Sequence, residues 1–241
     1  MRKEKFDVDN YVHIYNRGNR KVDIVRSDAD KWRFMQALRF FNDSHSAQNL
    51  LRQISLSVPG TDRQIESVFE TGWPLNWPEK DPLVKILCYC LVSNHFHLLL
   101  KEIRQRGISK FMHKLGLGYT NFFNLKYREV GRVFQGPYKV KVIEDQRYLE
   151  YLCAYIQVKN VLELFPGGLE AATKNPEEAT RFVDNYSFSS HQDYAGLRES
   201  LIIDKDVLGE IFPTPGEYKK FVYGLILAKD FWGGLDDLKL E

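Results

Sequence analysis

The chain has 241 residues, 44% hydrophobic and 14% aromatic, and a formal net charge of +2, enough to bury a sizeable core as one large domain or one domain plus an appendage. No apolar run approaches the roughly 18 residues of a membrane span, and the N-terminal MRKEKFDVDNYV has no signal-peptide h-region. Three cysteines, Cys88, Cys90 and Cys153, make no disulfide framework, so a cytoplasmic protein is expected.

Tyr11 to Tyr15 (YVHIY) reads as a short strand ended by the loop NRGNRK at residues 16–21. Ser27 then caps a helix, with Asp30 at the third position and Phe34, Leu38 and Phe41 at helical spacing. From Asn42 to Pro82 the chain is polar, carries the pair Trp73 and Trp77 and has little periodicity, which reads as an insertion at about 43–82.

Val84 to Val92 (VKILCYCLV) is rich in β-branched and aromatic residues, and Ser93-Asn94 is a two-residue turn signal, so a β-hairpin is predicted. In the returning strand, HFHLLLK, alternation puts His95, His97 and Leu99 on one face and Phe96, Leu98 and Leu100 on the other. The two histidine Cα atoms are then roughly 6.5–7 Å apart, a spacing at which two rings can converge on one ion. One satisfied core histidine beside one solvated one is the plainer alternative. Cys88 and Cys90 fall on the same face across the hairpin, so a zinc-stabilised Cys2His2 nucleic-acid-binding protein is a second alternative.

Ile108, Phe111, Leu115, Tyr119, Phe122 and Lys126 predict another helix, in which Gly116 and Gly118 leave room for a close approach or a break. A strand near Tyr138 to Ile143 and a helix opening at Asp145 follow. Strand, helix, two strands, helix, strand is the order of an α+β fold built on a ferredoxin-like antiparallel sheet with helices on one face. After Pro166 the chain turns acidic, with helices at Glu177 to Asp184 and Thr214 to Ala228, the latter opening in a capping box with proline at its first position. The division expected is a domain at 1–165 and a partly helical extension at 166–241.

Charge is uneven. Residues 101–147 carry eleven Lys/Arg against four Asp/Glu, whereas residues 148–241 carry nine against sixteen. Aromatics interleave the basic block, the mixture that lets bases stack while cations hold phosphates. Lys126, Arg128, Arg132, Lys139 and Lys141 are therefore candidate DNA-binding residues, while Phe122 and Phe123 read as core. In the last helix of the domain, Glu144 to Leu164, the core stripe is Leu149, Leu152, Cys153 and Ile156, and Tyr148, Tyr151 and Tyr155 share the neighbouring flank. Tyr148 and Tyr151 read as packing.

YVHIYNRGNR, CYCLVSNHFHLLLK, GRVFQGPYKVKVIED, YLEYLCAYIQ and FVDNYSFSSHQDYAG, in this order, resemble the single-tyrosine HUH transposases, most nearly the branch associated with repetitive extragenic palindromes. The resemblance implies a single-strand DNA endonuclease and strand transferase working through a 5′-phosphotyrosine. In it His95 and His97 would hold a divalent ion, Mg²⁺ or Mn²⁺, and Tyr155 would be the nucleophile. Its partner would be single-stranded or hairpin DNA, bound also by Arg17, Arg20 and Lys21 of the NRGNRK loop, with the protein a monomer or homodimer. A catalytically inactive hairpin-binding module is the alternative.

The chain departs from the family at one place. Family members commonly carry Asn or Gln four residues after the nucleophile, where this chain has Lys159. On a regular helix Gln157 and Asn160 are rotated by about 160° and 140° from Tyr155, so neither reaches the same site. Either the helix breaks after Val158 and Asn160 swings in, or the ion is held by the two histidines, water and DNA oxygens with Lys159 pairing to the scissile phosphate; Val161, Leu162 and Leu164 continue the helical pattern and favour the second.

Overall fold

A computed structural model of the chain describes residues 6–45, 73, 77–145 and 148–228. Among these residues, β1 (Tyr11–Arg17), β2 (Val84–Leu91), β3 (His95–Glu102) and β4 (Lys139–Ile143) form one antiparallel sheet in the order β2-β3-β1-β4. Helices α1 (Asp28–Phe41) and α2 (Gly107–Tyr127) make the two crossovers. This is the ferredoxin-like order, with β1 and β3 central.

Local chemistry accounts for each element. Ser27 and Asp30 form a reciprocal capping box at the start of α1. Across Ser93-Asn94 the Val92 N–H donates to the His95 carbonyl at 3.0 Å, closing the predicted hairpin. A bulge between Ile86 and Cys88 shifts the register, so that Cys88 opposes Leu99 and Cys90 opposes His97. The buried Glu102 carboxylate accepts the N–H groups of Gly107 and Ile108 at 2.9 and 2.8 Å and so anchors the start of α2. Gly118 is where α2 meets α1, since a Cβ there would lie 2.3 Å from the Phe41 ring, whereas at Gly116 it would meet nothing within 4 Å.

The sheet has two covered faces. Val12, Ile14, Phe96, Leu98 and Leu100 pack on one side beneath α1 and α2, through Phe34, Leu38, Ile108, Phe111 and Tyr119. On the other side Cys88, Cys90 and Leu99 lie under α3, which starts as an α-helix at Leu149–Ala154. The helices of the ferredoxin-like unit thus share one face as expected, and α3 covers the opposite face together with the C-terminal extension.

That extension contains α4 (Gly168–Lys174), α5 (Pro176–Asp184), α6 (His191–Tyr194), α7 (Asp206–Ile211) and α8 (Pro215–Leu227). One apolar cluster runs from Cys88 and Leu152 to Tyr194, Tyr218 and Val222, continuous across the division expected at residue 165. The segment before α6 also lies along the free edge of β2, where Leu91 N–H donates to Phe188 O and Ser190 N–H to Tyr89 O, each at 3.0 Å. Of the insertion, residues 46–72 and 74–76 lie outside the described residues. At its borders the Asn42 side chain pairs with the backbone of Leu83 and Val84, and the Trp73 and Trp77 rings pack together at 5.1 Å. Among the described residues no helix is long and apolar enough to cross a membrane.

Candidate active site

Strand alternation and register assemble the site. Pairing of β1 with β3 sets Tyr15 opposite His97 and Arg17 opposite His95, and pairing with β4 sets Tyr15 opposite Lys139 and His13 opposite Lys141. All of these point to the α3 side of the sheet, because side chains at paired positions share a face. His95 is partly exposed, while His97 and His13 are buried. The Tyr155 ring meets this surface edge-on, 5.7 Å from the His97 ring and 6.3 Å from that of His13. Tyr155 is only 1% exposed. The flanking tyrosines of α3 point elsewhere: Tyr148 lies near Lys141 and Tyr151 against Phe221, at 5.9 and 6.0 Å.

The expectation of a regular helix beyond Tyr155 is corrected by the structure. Residues Tyr155–Lys159 form a π-helix, and Asn160–Leu162 resumes α-helical geometry. The Asn160 N–H donates to the Tyr155 carbonyl, five residues back. A π turn closes after five residues rather than four, so it returns residue i+5 to the face of residue i. The wider turn brings Asn160 toward the face of Tyr155, which Lys159 also shares, its ammonium 5.1 Å from the ring.

Side chains add hydrogen bonds to the carbonyls of the wide turn. Asn160 Nδ2 donates to Tyr155 O at 2.9 Å and Ile156 O at 3.2 Å, and Ser189 Oγ of the extension donates to Gln157 O at 2.8 Å. The Gln157 side chain turns away from the histidines, as expected. Its amide donates to Ser190 Oγ, and its oxygen accepts from Tyr218 Oη at 2.6 Å.

With its amide nitrogen committed to those carbonyls, Asn160 turns its oxygen toward His95, and Oδ1 lies 3.4 Å from Nε2. On the far side of that ring, Nδ1 is 2.6 Å from Asn94 Oδ1, which can only accept. The Nδ1 proton therefore goes to Asn94, leaving a lone pair at Nε2 facing a carbonyl oxygen. A cation between two acceptors satisfies both, as a second proton on the ring would. His97 Nδ1 is 3.0 Å from His13 Nε2, which leaves the other nitrogen of His97 for a ligand. Burial pushes His13 down to about 3, helped by Lys141, and holds His97 well below its ordinary value, with His13, His95 and Lys159 adding to the effect. Both rings are thus neutral near pH 7 and keep lone pairs to offer. Two imidazoles suit a first-row transition ion, and the amide oxygen suits a harder one such as Mn²⁺ or Mg²⁺. Among the described residues no group of three or more His, Cys, Asp or Glu is placed to hold a metal. Among the described residues the four residues of the zinc alternative are not gathered into one site, and Cys88 is a free, buried thiol in the apolar cluster with Cys153.

The basic candidates separate into four groups. Arg17, Lys139 and Lys141 lie on the face of the histidines, with Lys139 above the Tyr15 ring at 5.5 Å. Arg20, Lys21, Arg128 and Arg132 are exposed beyond the ends of β1 and α2. Lys126 is engaged in an ion pair with the buried Asp30. Lys159 is buried, pairs with Glu163 at 2.9 Å, and holds its ammonium 5.1 Å from the Tyr155 ring.

Residues 79–159 match the family model described as Transposase IS200 like. No curated protein matches the chain. A solved structure of a REP-associated tyrosine transposase bound to a REP hairpin is similar at 12% identity and a TM-score of 0.42, over 82% of this chain and 87% of that one. The family that the sequence motifs resemble is the one whose model residues 79–159 match, the IS200-like transposases.

Proposed function

We propose that the protein is a metal-dependent single-strand DNA endonuclease and strand transferase acting on hairpin or palindromic DNA, with Tyr155 as its nucleophile. The observation that carries this reading is the convergence of Tyr155, His97, His95 and Asn160 on one face of the sheet, within 5.7 Å from ring to ring for Tyr155 and His97 and 3.4 Å from His95 to Asn160. His95, His97 and Asn160 would hold Mg²⁺ or Mn²⁺, whose charge offsets that developing on the phosphoryl oxygens. The Tyr155 oxygen bonds to phosphorus, the bond to the 3′ oxygen breaks, and that oxygen leaves as a free hydroxyl bearing the proton the phenol gave up. One phosphodiester replaces another, so a second 3′-hydroxyl can reverse the step on a new strand. Lys159 would exchange Glu163 for the phosphate, while Arg17, Lys139 and Lys141 would carry the strand across the site.

Burial of Tyr155 favours a second reading, a hairpin-binding module that no longer cleaves. Labelled single-stranded hairpins incubated with the protein and Mn²⁺ separate the two. The enzyme leaves a protein–DNA adduct that survives denaturation, and the module leaves none.

A further inference from the structure

We propose that His13 is a positioning residue for His97, accepting the His97 Nδ1 proton so that Nε2 is held as a lone pair toward the ion. This rests on the metal reading above. A neutral imidazole has one donor and one acceptor. Across the 3.0 Å contact between His13 Nε2 and His97 Nδ1 one nitrogen donates and the other accepts. Only donation by His97 leaves its Nε2 free to ligate. An acceptor behind a ligating histidine commonly sets it in this way, but it is a carboxylate, a backbone carbonyl or water. Here another histidine takes that place, delivered by the neighbouring central strand.

The contact is expensive to keep, which argues against a filling role. His13 is fully buried, and its Nδ1 has no hydrogen-bond partner. When Nε2 accepts, the His13 proton must sit on that unpartnered Nδ1, a state that costs stability. Its ring stacks on those of His97 and Tyr15, each at 5.2 Å, contacts that a phenyl ring would keep without stranding a polar atom.

Mn²⁺ titration of the full chain by calorimetry, with the ¹⁵N shifts of His97 recorded in the metal-free protein, tests the assignment. His13→Phe is expected to weaken Mn²⁺ binding about 10- to 100-fold, to leave melting temperature unchanged or higher, and to release His97 into a mixture of tautomers. In His13→Gln the side-chain oxygen takes the place of Nε2, so most of the affinity and the Nδ1–H form of His97 should return. Wild-type affinity in His13→Phe, or equal losses in both variants, overturns the positioning role. A wild-type chain that takes up no Mn²⁺ overturns the metal reading and this assignment with it.

Discussion

Asn160 reaches His95 because the helix between it and Tyr155 is one residue too wide: Oδ1 stands 3.4 Å from His95 Nε2 while Nδ2 clamps the carbonyls of Tyr155 and Ile156. One side chain thus both braces the π turn and faces His95. Asn160→Ala removes both functions and should lower Mn²⁺ affinity about 10- to 100-fold. It should also cost about 1 kcal/mol of stability for each of the two side-chain hydrogen bonds it removes. Asn160→Asp keeps an oxygen toward His95 but loses the amide donor, so it should be destabilised while retaining metal affinity. Calorimetry and chemical denaturation of the two variants check the split, and equal metal affinity in wild type and Asn160→Ala would remove Asn160 from the site.

Ser189→Ala should act on the helix of Tyr155 from 32 residues away along the chain, because its hydroxyl donates to the Gln157 carbonyl inside the π turn. The expected outcome is a loss of about 1–3 kcal/mol in denaturant melts, with slower adduct formation and unchanged hairpin affinity. Weaker hairpin binding in this variant, measured by electrophoretic mobility, would show that the extension touches DNA instead.

Local features were legible in the sequence, and features that depend on distant partners were not. The Ser27 and Thr214 capping boxes need only residues three apart, and the hairpin around Ser93-Asn94 only its turn and flanking pattern; all three are present. Alternation also placed His95 and His97 on one face. His13 was readable only as a strand residue, since its contact with His97 depends on the register between strands 84 residues apart. Periodicity at 100° per residue carried Asn160 away from Tyr155 because a π turn leaves no local sequence mark. Its stabilising partner Ser189 lies in FVDNYSFSSHQDYAG, a segment that resembles the family but carries no local sign of a contact with that helix.

Acid should loosen that extension. Asp206 accepts from Tyr11 Oη at 2.6 Å and Lys85 Nζ at 2.7 Å, tying α7 to β1 and β2. Burial alone would raise its carboxyl, but the hydrogen bonds from Lys85 and Tyr11 and the Lys101 charge outweigh it and hold the group below the usual carboxylate range. A depressed carboxylate adds stability above its unfolded value of about 3.9 and loses it as pH falls through the folded value. The melting temperature of wild type should therefore exceed that of Asp206→Asn by a constant margin near neutral pH, and the margin should close below about pH 4. A margin that persists under acid would assign the loss in Asp206→Asn to packing rather than charge.

Hairpin binding should draw unequally on the basic residues. Lys139→Ala and Lys141→Ala should each weaken it and lower the salt-dependence slope by about one. Lys126→Ala should mainly destabilise the fold, because it leaves the buried Asp30 without its ion-pair partner. Salt titrations of hairpin binding beside thermal melts check the division, and a lowered slope in Lys126→Ala with normal stability would move that lysine into the interface.

The central claim is that Tyr155 takes the phosphate. Its most direct test is peptide mapping by mass spectrometry after the protein has reacted with a single-stranded hairpin and Mn²⁺ and the DNA has been trimmed to a nucleotide. A 5′-linked nucleotide on Tyr155, absent from Tyr155→Phe while hairpin affinity stays near wild type, is the result predicted. A nucleotide on Tyr148 or Tyr151, or an adduct that persists in Tyr155→Phe, would contradict it.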